Sequence, residues 1–404
     1  MAASWSLWLC GPFLCLQAAK GLMLAKKQSW RDFYNPIRGL TMARLISMED
    51  QAERGQYADL QWFYYFMEKS DVTIMSAIAR RLSFLDSLDW EIRIAENADP
   101  VLGQEQSDFL RYAYDRIANF KQATHFLALA LFRGFSHVEK VYTGYGDLIS
   151  RLEPIEPWFW IKKGMFGEWR FNADSRSSEL QGQVIERHNF CILESGPLHR
   201  AIGRHFFSKQ LAMADWDVAL ETSANPSIFF VGPPGTTPEK ELEYKSVAEQ
   251  LASNGRGYLP NGTEVKTVDP AQRSRMPFQD RISYCDQQIV MAATGGLLTM
   301  LTESGSGTLA GGAHSDSLLA LAKSDAARLS EVYQRDLDNE WLNTFFPHQP
   351  HVAYFSFEIP QKEDVNALLA SVGNLSWAGY RVDMAQLEEK TGLKLNEIPV
   401  PGGN

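Results

Sequence analysis

Apolar residues recur at helical spacing over several long stretches of this chain. Across residues 60–85, Phe63, Met67, Val72, Met75, Ala79 and Leu82 fall on or near one face, which predicts a helix. Residues 107–132 read as a second helical region that runs into Gly134. Leu198, Ile202, Phe206, Met213, Trp216 and Leu220 make an apolar stripe on a helix that Pro197 opens and that ends near Asn225 and Pro226. Another helix starts at about Phe278. From Asp316 onward, Leu318, Ala322, Ala326, Leu329, Tyr333, Leu337, Trp341 and Phe345 recur together, while Lys323, Glu331, Arg335 and Asp338 fall on other faces. That last pattern is one helix of roughly 30 residues and about 45 Å. Ser315 or Asp316 is its expected N-cap, and Pro347 and Pro350 stop it.

Shorter runs predict strands at 89–94, 137–142, 158–161 and 168–172, the last three forming a small sheet between Gly and Pro turns. With the first helices they give an α+β body over 35–196. A compact insert follows the Pro197 helix: a strand at 227–231, a turn at 232–235, a helix at 238–253, and strands at 256–259 and 264–268 around Asn261 and Gly262. Beyond residue 346, 351–359 reads as a strand, and 365–372 and 384–391 as short helices around a turn at Gly379 and Tyr380. The fold class is α+β.

Between the last two long helices the chain reads Glu303, Ser304, Gly305, Ser306, Gly307, Thr308, then on through Gly311, Gly312, His314 and Ser315. So many small and glycine residues predict a flexible loop over 303–315. A loop held between two long helices is a mechanical arrangement, since it supplies no paired base, nucleophile or metal cage.

The 404 residues, 45% of them apolar, suffice for a substantial core divided into two or three substructures. A formal charge of -10 is the reverse of what gripping phosphates requires, which is clustered Lys and Arg. It argues against sequence-specific DNA binding and suits a surface past which DNA slides, although solubility alone accounts for it as well. Cys10, Cys15, Cys191 and Cys285 show no metal-type pairing and are too scattered for a disulfide framework, so a reducing compartment is expected. His348 and His351 flank Gln349 and Pro350, where a loop exit explains them better than a metal site. Residues 5–19 are apolar and end in Leu16, Gln17, Ala18 and Ala19, like the core and cleavage site of a signal peptide. The stretch before them lacks Lys and Arg, and the run is short for a bilayer, so export, a packing arm and an extended gene start all stay open. No other segment approaches a transmembrane helix.

Three enzyme-like signals fail on their chemistry. Residues 232–236 (GPPGT) start like a phosphate-binding loop, but Thr237, Pro238 and Glu239 stand where Gly, Lys and Ser or Thr are needed. Gly305, Ser306 and Gly307 resemble a nucleophile elbow without the β-branched strand that leads into one. Asp336, Asp338 and Glu340 are spaced by two on a helix, hence on different faces, and are expected to be solvated charges or subunit contacts rather than a two-metal site.

The order of features along the chain resembles the Mu-like tailed-phage portal proteins. The resemblance is carried by the isoleucine-bearing helix, its threonine-rich end, the Gly/Ser/Ala loop with a histidine, and the run KSDAARLSEVYQRDLDNEWLNTFF. Residues 35–41 (NPIRGLT), the helix through Met67, Glu68 and Asp71, and residues 88–92 (LDWEI) look like the N-terminal region of that family. Residues 209–226 around Asp215 and Trp216, with Tyr258, Leu259, Pro260 and Asn261, look like its middle. Together these run, in the family's order, from about Asn35 to about Phe346.

What the resemblance implies is a portal-like subunit: an N-terminal arm 1–34, an α/β wing 35–196, a first stem helix 197–225, a small βαββ clip 226–275, a second stem helix 276–302, a tunnel loop 303–315, a tunnel helix 316–346, and a C-terminal wing or crown segment 347–404. It implies a closed ring, usually of twelve subunits, set among major capsid proteins at one capsid vertex. Double-stranded DNA would pass non-specifically through the ring, inward during packaging and outward during ejection. Clip residues Glu239, Lys240, Glu243, Lys245, Arg256, Glu264 and Lys266 would meet the large terminase subunit and later a head-completion or tail connector protein. The resemblance implies no catalytic residue, metal, cofactor or membrane, and a place in the virion after assembly in the host cytoplasm. The loop departs from any picture of positive charge tracking phosphates, because no Lys or Arg follows Glu303 until Lys323. The rival readings are a secreted or envelope α+β enzyme with an N-terminal signal, and another head structural protein such as an adaptor.

Overall fold

The computed structural model describes residues 34–142, 148–173, 182–224, 227–231, 237–254, 264–268, 277–296, 308–358 and 372. Contacts group the chain into two units, Met1–Ser87 with Glu91–Ser356, and Leu88–Trp90 with Phe357–Asn404. The first unit carries almost all the described residues.

Three helices open it. The Thr41 hydroxyl accepts from the Arg44 N–H and starts α1 (Met42–Glu53). Gly55 then turns the chain at a φ of 89°, where a Cβ would lie 2.2 Å from the Lys162 carbonyl oxygen. The expected helix over 60–85 is two helices, α2 (Ala58–Ser70) and α3 (Val72–Asp86). Asp71 breaks it: extended itself, it accepts the N–H groups of Thr73 and Ile74 at 2.9 and 3.1 Å. The break shifts the phase, so α3 buries Ile74, Ala77, Leu82 and Leu85 and leaves Val72 and Met75 exposed.

Strand β1 (Asp89–Ile94) falls where the pattern placed it. The helical region expected over 107–132 starts earlier, at α4 (Pro100–Asp115), because Asp99 accepts from the Val101 N–H and Pro100 presets the first turn. It continues as α5 (Phe120–Ala128) and α6 (Ala130–Arg133), closed by Gly134 at a φ of 99°. Strand β2 (Phe135–Tyr142) forms the centre of an antiparallel sheet between β3 (Ile149–Ile155) and β7 (Phe190–Glu194), with Val138 opposite Pro154 and Cys191. Sequence reading found neither flanking strand. In β3 the buried Ile149, Leu152 and Ile155 are spaced by three, which hides the alternation of a strand. A second small sheet joins β4 (Trp160–Lys162), β5 (Trp169–Phe171) and β6 (Gln183–Val184). Between these elements lies an aromatic core of Trp62, Trp158, Trp160, Trp169, Phe171 and Phe190. His137 stacks on Trp160 with ring centroids 3.9 Å apart, and burial holds its pKa well below the usual range.

The long elements follow. They are α7 (Leu198–Ala224), β8 (Ser227–Val231), α8 (Pro238–Asn254), β9 (Glu264–Val268) and α9 (Phe278–Thr294). After them come α10 (Thr308–Tyr333), a π-helical turn at Gln334–Asp338, α11 (Asn339–Phe345) and β10 (Ala353–Glu358). The strand expected at 256–259 and the helix at 384–391 lie outside the described residues, as does all but Val372 of the helix at 365–372.

Asp336 and Asp338 overturn an expectation, for both are buried rather than solvated. The π turn sets the two carboxylates into the protein. Asp338 accepts from the Tyr114 hydroxyl at 2.6 Å and the Phe355 N–H at 2.7 Å. Asp336 accepts from the Ile192 N–H at 3.1 Å and from Arg187 and Arg335, while Arg335 donates to the Ile192 carbonyl at 2.6 Å. The outer edge of β7 is thus closed by side chains in place of another strand. The buried Lys140 ammonium donates to the Asp336 carbonyl and to Glu340.

Candidate functional site

Helix α7 has 27 residues, about 40 Å at the usual rise, and α9 packs along it. Its first half is anchored, with Ile202, Phe206 and Phe207 buried. Its second half presents Leu211, Met213, Val218 and Leu220 to solvent, so the apolar stripe of the sequence is buried over part of its length only. Tyr284 and Met291 are exposed on α9.

Two ionic clusters pin these helices to α3. The Lys209 ammonium of α7 lies 2.8 Å from Asp71 Oδ2 and 2.6 Å from Asp286 Oδ1 of α9, which also accepts from the Thr73 hydroxyl at 2.8 Å. Burial would lower the Lys209 pKa, but the two carboxylates raise it on balance, so the ammonium stays charged at neutral pH. Arg81 makes the second cluster. Its Nε and Nη2 donate to both oxygens of Asp325 on α10 at 2.8 and 3.0 Å, and its Nη1 donates to the Ala293 carbonyl of α9 at 2.9 Å. Arg81 and Asp325 are 7% and 1% exposed, so little solvent screens the pair.

A third buried group holds the base of α7. Glu68 on α2 accepts from Arg133 at 2.8 and 2.6 Å and contacts His199 Nε2 at 2.8 Å. Burial alone would raise the Glu68 pKa, yet Arg133 and His199 hold it at about 2, which keeps it ionised.

The insert between α7 and α9 pairs β8 with β9 antiparallel, Ser227 opposite Val268 and Val231 opposite Glu264, with α8 packed against β8. Of the residues singled out there, Glu239, Lys240, Glu243 and Lys245 are exposed on α8. Glu264 and Lys266 lie on β9, paired with Val231 and Phe229 of β8. Arg256 lies outside the described residues.

Part of the loop expected over 303–315 is helical. Thr308, Gly311, Gly312, His314 and Ser315 lie inside the backbone of α10, and Glu303, Ser304, Gly305, Ser306 and Gly307 lie outside the described residues. Neither Ser315 nor Asp316 caps the helix. Two glycines cost about 1 kcal/mol each in a helix interior, which is small beside propagation from the long apolar pattern downstream.

Among the described residues no group of His, Cys, Asp and Glu could hold a metal ion, and no helix is long and apolar enough to cross a membrane. Cys191 is buried with its thiol pKa pushed up to about 12, which makes it a poor nucleophile. Of the residues that organise the site, the sequence marks Asp71 only as part of a family-like helix and gives Arg81, Lys209, Asp286 and Asp325 no individual role. A readable signal existed. Arg81 falls in phase with Ile74, Ala77 and Leu85, and Asp325 with Ala322 and Leu329, so each is a charge on an apolar face.

Comparison with known proteins agrees with this architecture. The family described as the portal protein of Mu bacteriophage matches residues 61–393. The Mu-like prophage FluMu protein gp29 of Haemophilus influenzae is 24% identical over 372 residues, 88% of this chain and 71% of that protein. The portal protein of Escherichia phage Mu is 23% identical over 384 residues, 92% of this chain and 73% of that one. A chain in the neck of an empty gene transfer agent particle has the same fold, with a TM-score of 0.52 at 13% identity, covering 87% of this chain and 94% of that chain. By the family match over most of its length, this chain belongs to the family of the Mu bacteriophage portal protein.

Proposed function

We propose that the protein is a portal subunit that closes with copies of itself into a ring at one vertex of a phage capsid. Double-stranded DNA passes through the ring during packaging and ejection. The observation that carries this reading is the family match across the long helices, the strand-paired insert and α10 in one order. The exposed apolar half of α7 supports it, since Leu211, Met213 and Leu220 need a protein surface to cover them.

Within that reading, residues 35–196 are the wing, α7 and α9 the stem, and 226–275 the clip. The exposed Glu239, Lys240, Glu243 and Lys245 of α8, with Arg256, Glu264 and Lys266, take the terminase and later a head-completion protein. Glu303, Ser304, Gly305, Ser306 and Gly307, continued by the small residues of the first turns of α10, border the duplex. The protein acts as a conduit with no catalysis of its own, in the virion after assembly in the host cytoplasm. Immunogold labelling of assembled heads tests this. Label at a single vertex is the expected result, and label spread over the shell overturns it.

A further inference from the structure

One buried guanidinium, on α3, holds the end of one long helix and the body of another. Arg81 takes the Ala293 carbonyl in the last turn of α9 with one nitrogen and the Asp325 carboxylate of α10 with the other two. The surroundings make this a point of close approach. Gly295 caps α9 at a φ of 71°, and a Cβ on it would lie 3.0 Å from Leu321 Cδ1 of α10. Thr294 is buried, and its hydroxyl lies 2.8 Å from the Val290 carbonyl oxygen and 2.9 Å from that of Gly296, either of which can accept its one proton. The Arg81 guanidinium also lies over the Phe132 ring, 5.7 Å from its centroid. Leu321 is 13 positions after Thr308, so α10 extends about 20 Å beyond the level at which α9 meets it.

We propose that Arg81 is a positioning residue that couples the stem to the channel helix. This rests on reading α7 and α9 as the stem and α10 as the helix beside the channel. A planar fork that bonds a backbone carbonyl of α9 and a carboxylate of α10 at once fixes the axial register of the two helices, which an apolar contact would let slide. A displacement of the stem at α9 is therefore passed to the projecting turns of α10. The Lys209 cluster on the same helix α3 pins α7 and α9 together and leaves α10 untouched, so Arg81 is the link to α10. Solubility or surface charge does not explain Arg81, since its neighbour Arg80 already supplies an exposed charge.

The test compares Arg81→Lys, Asp325→Asn and the double variant Arg81→Met with Asp325→Leu against the parent protein. The double variant leaves no unpaired buried charge and so keeps the fold. Hydrogen exchange is followed at the last turn of α9, at the first four turns of α10, and at β2 as a control. The expected result is protection reduced about tenfold or more at α9 and α10 in Arg81→Lys and the double variant, with β2 unchanged. Asp325→Asn, which keeps the bond to Ala293, is expected to loosen α10 more than α9. Equal protection in all four proteins overturns the proposal. DNA packaging by particles assembled from the same variants provides the second readout. Intact rings that package less DNA support coupling, and loosened helices with undiminished packaging reduce Arg81 to a structural role. If no variant and no parent forms rings, the portal reading fails, while the exchange data still decide whether Arg81 couples the helices.

Discussion

At the scale of single residues, two buried carboxylates titrate in opposite directions. Glu68 is held at about 2 in the folded protein, below its ordinary value, so its contribution is present above pH 4.5 and is lost as pH falls toward 2. Asp338 behaves in the reverse way. Burial raises its pKa to about 6 against the hydrogen bonds from Tyr114 and Phe355, so its contribution is full below about pH 4 and is lost as pH rises through 6. Asp338→Asn is therefore expected to stabilise the protein at pH 7.5 by about 2 kcal/mol, while changing little at pH 4. An amide can still accept from the Phe355 N–H and donate to the Tyr114 oxygen. Urea unfolding at both pH values checks this, and a variant less stable than the parent at pH 7.5 would count against it. None of these roles was legible in the chain. Asp336 and Asp338 look like surface acids because a two-residue spacing in an α-helix separates them, and only the π turn reconciles both with burial.

At the scale of elements, periodicity located the long helices well and their ends poorly. α7, α9 and β1 sit where the apolar pattern and the flanking prolines put them, since tertiary burial follows that pattern directly. The breaks at Asp71 and at 116–119 leave no mark in the apolar pattern because helices on either side of a break bury against a common core. The start of α10 was misplaced for the opposite reason, as Gly311 and Gly312 read as a loop and are helical. Replacing both with alanine should strengthen the first turns of α10 by about 1 kcal/mol per site, visible as slower hydrogen exchange over 308–315. Faster exchange there would show that the glycines serve a backbone shape that alanine cannot adopt. In the proposed function the same change stiffens the chain beside the duplex, so fewer filled heads are expected.

At the scale of the whole molecule, the first half of α7 is held by buried contacts and its distal part is not. The aromatic core, the Glu68, Arg133 and His199 cluster and the bonds that Asp336 and Asp338 accept from Ile192 and Tyr114 tie the first sheets and helices to α7 and to the π turn. Leu211, Met213 and Leu220 lie on a helix half that stays exposed. Leu211→Lys combined with Leu220→Glu should leave the thermal unfolding of the subunit within about 1 kcal/mol of the parent while abolishing ring formation, as read by native mass. Unimpaired rings would place the subunit contact elsewhere.

In the proposed function, copies of this chain close around a central hole, as head-to-tail contacts do when their rotation closes. Averaged electron-microscope images of the purified full-length protein address it most directly. The expected result is a closed ring with cyclic symmetry and a hole wide enough to admit a DNA duplex. A two-fold dimer, or a compact oligomer with no central opening, would contradict it.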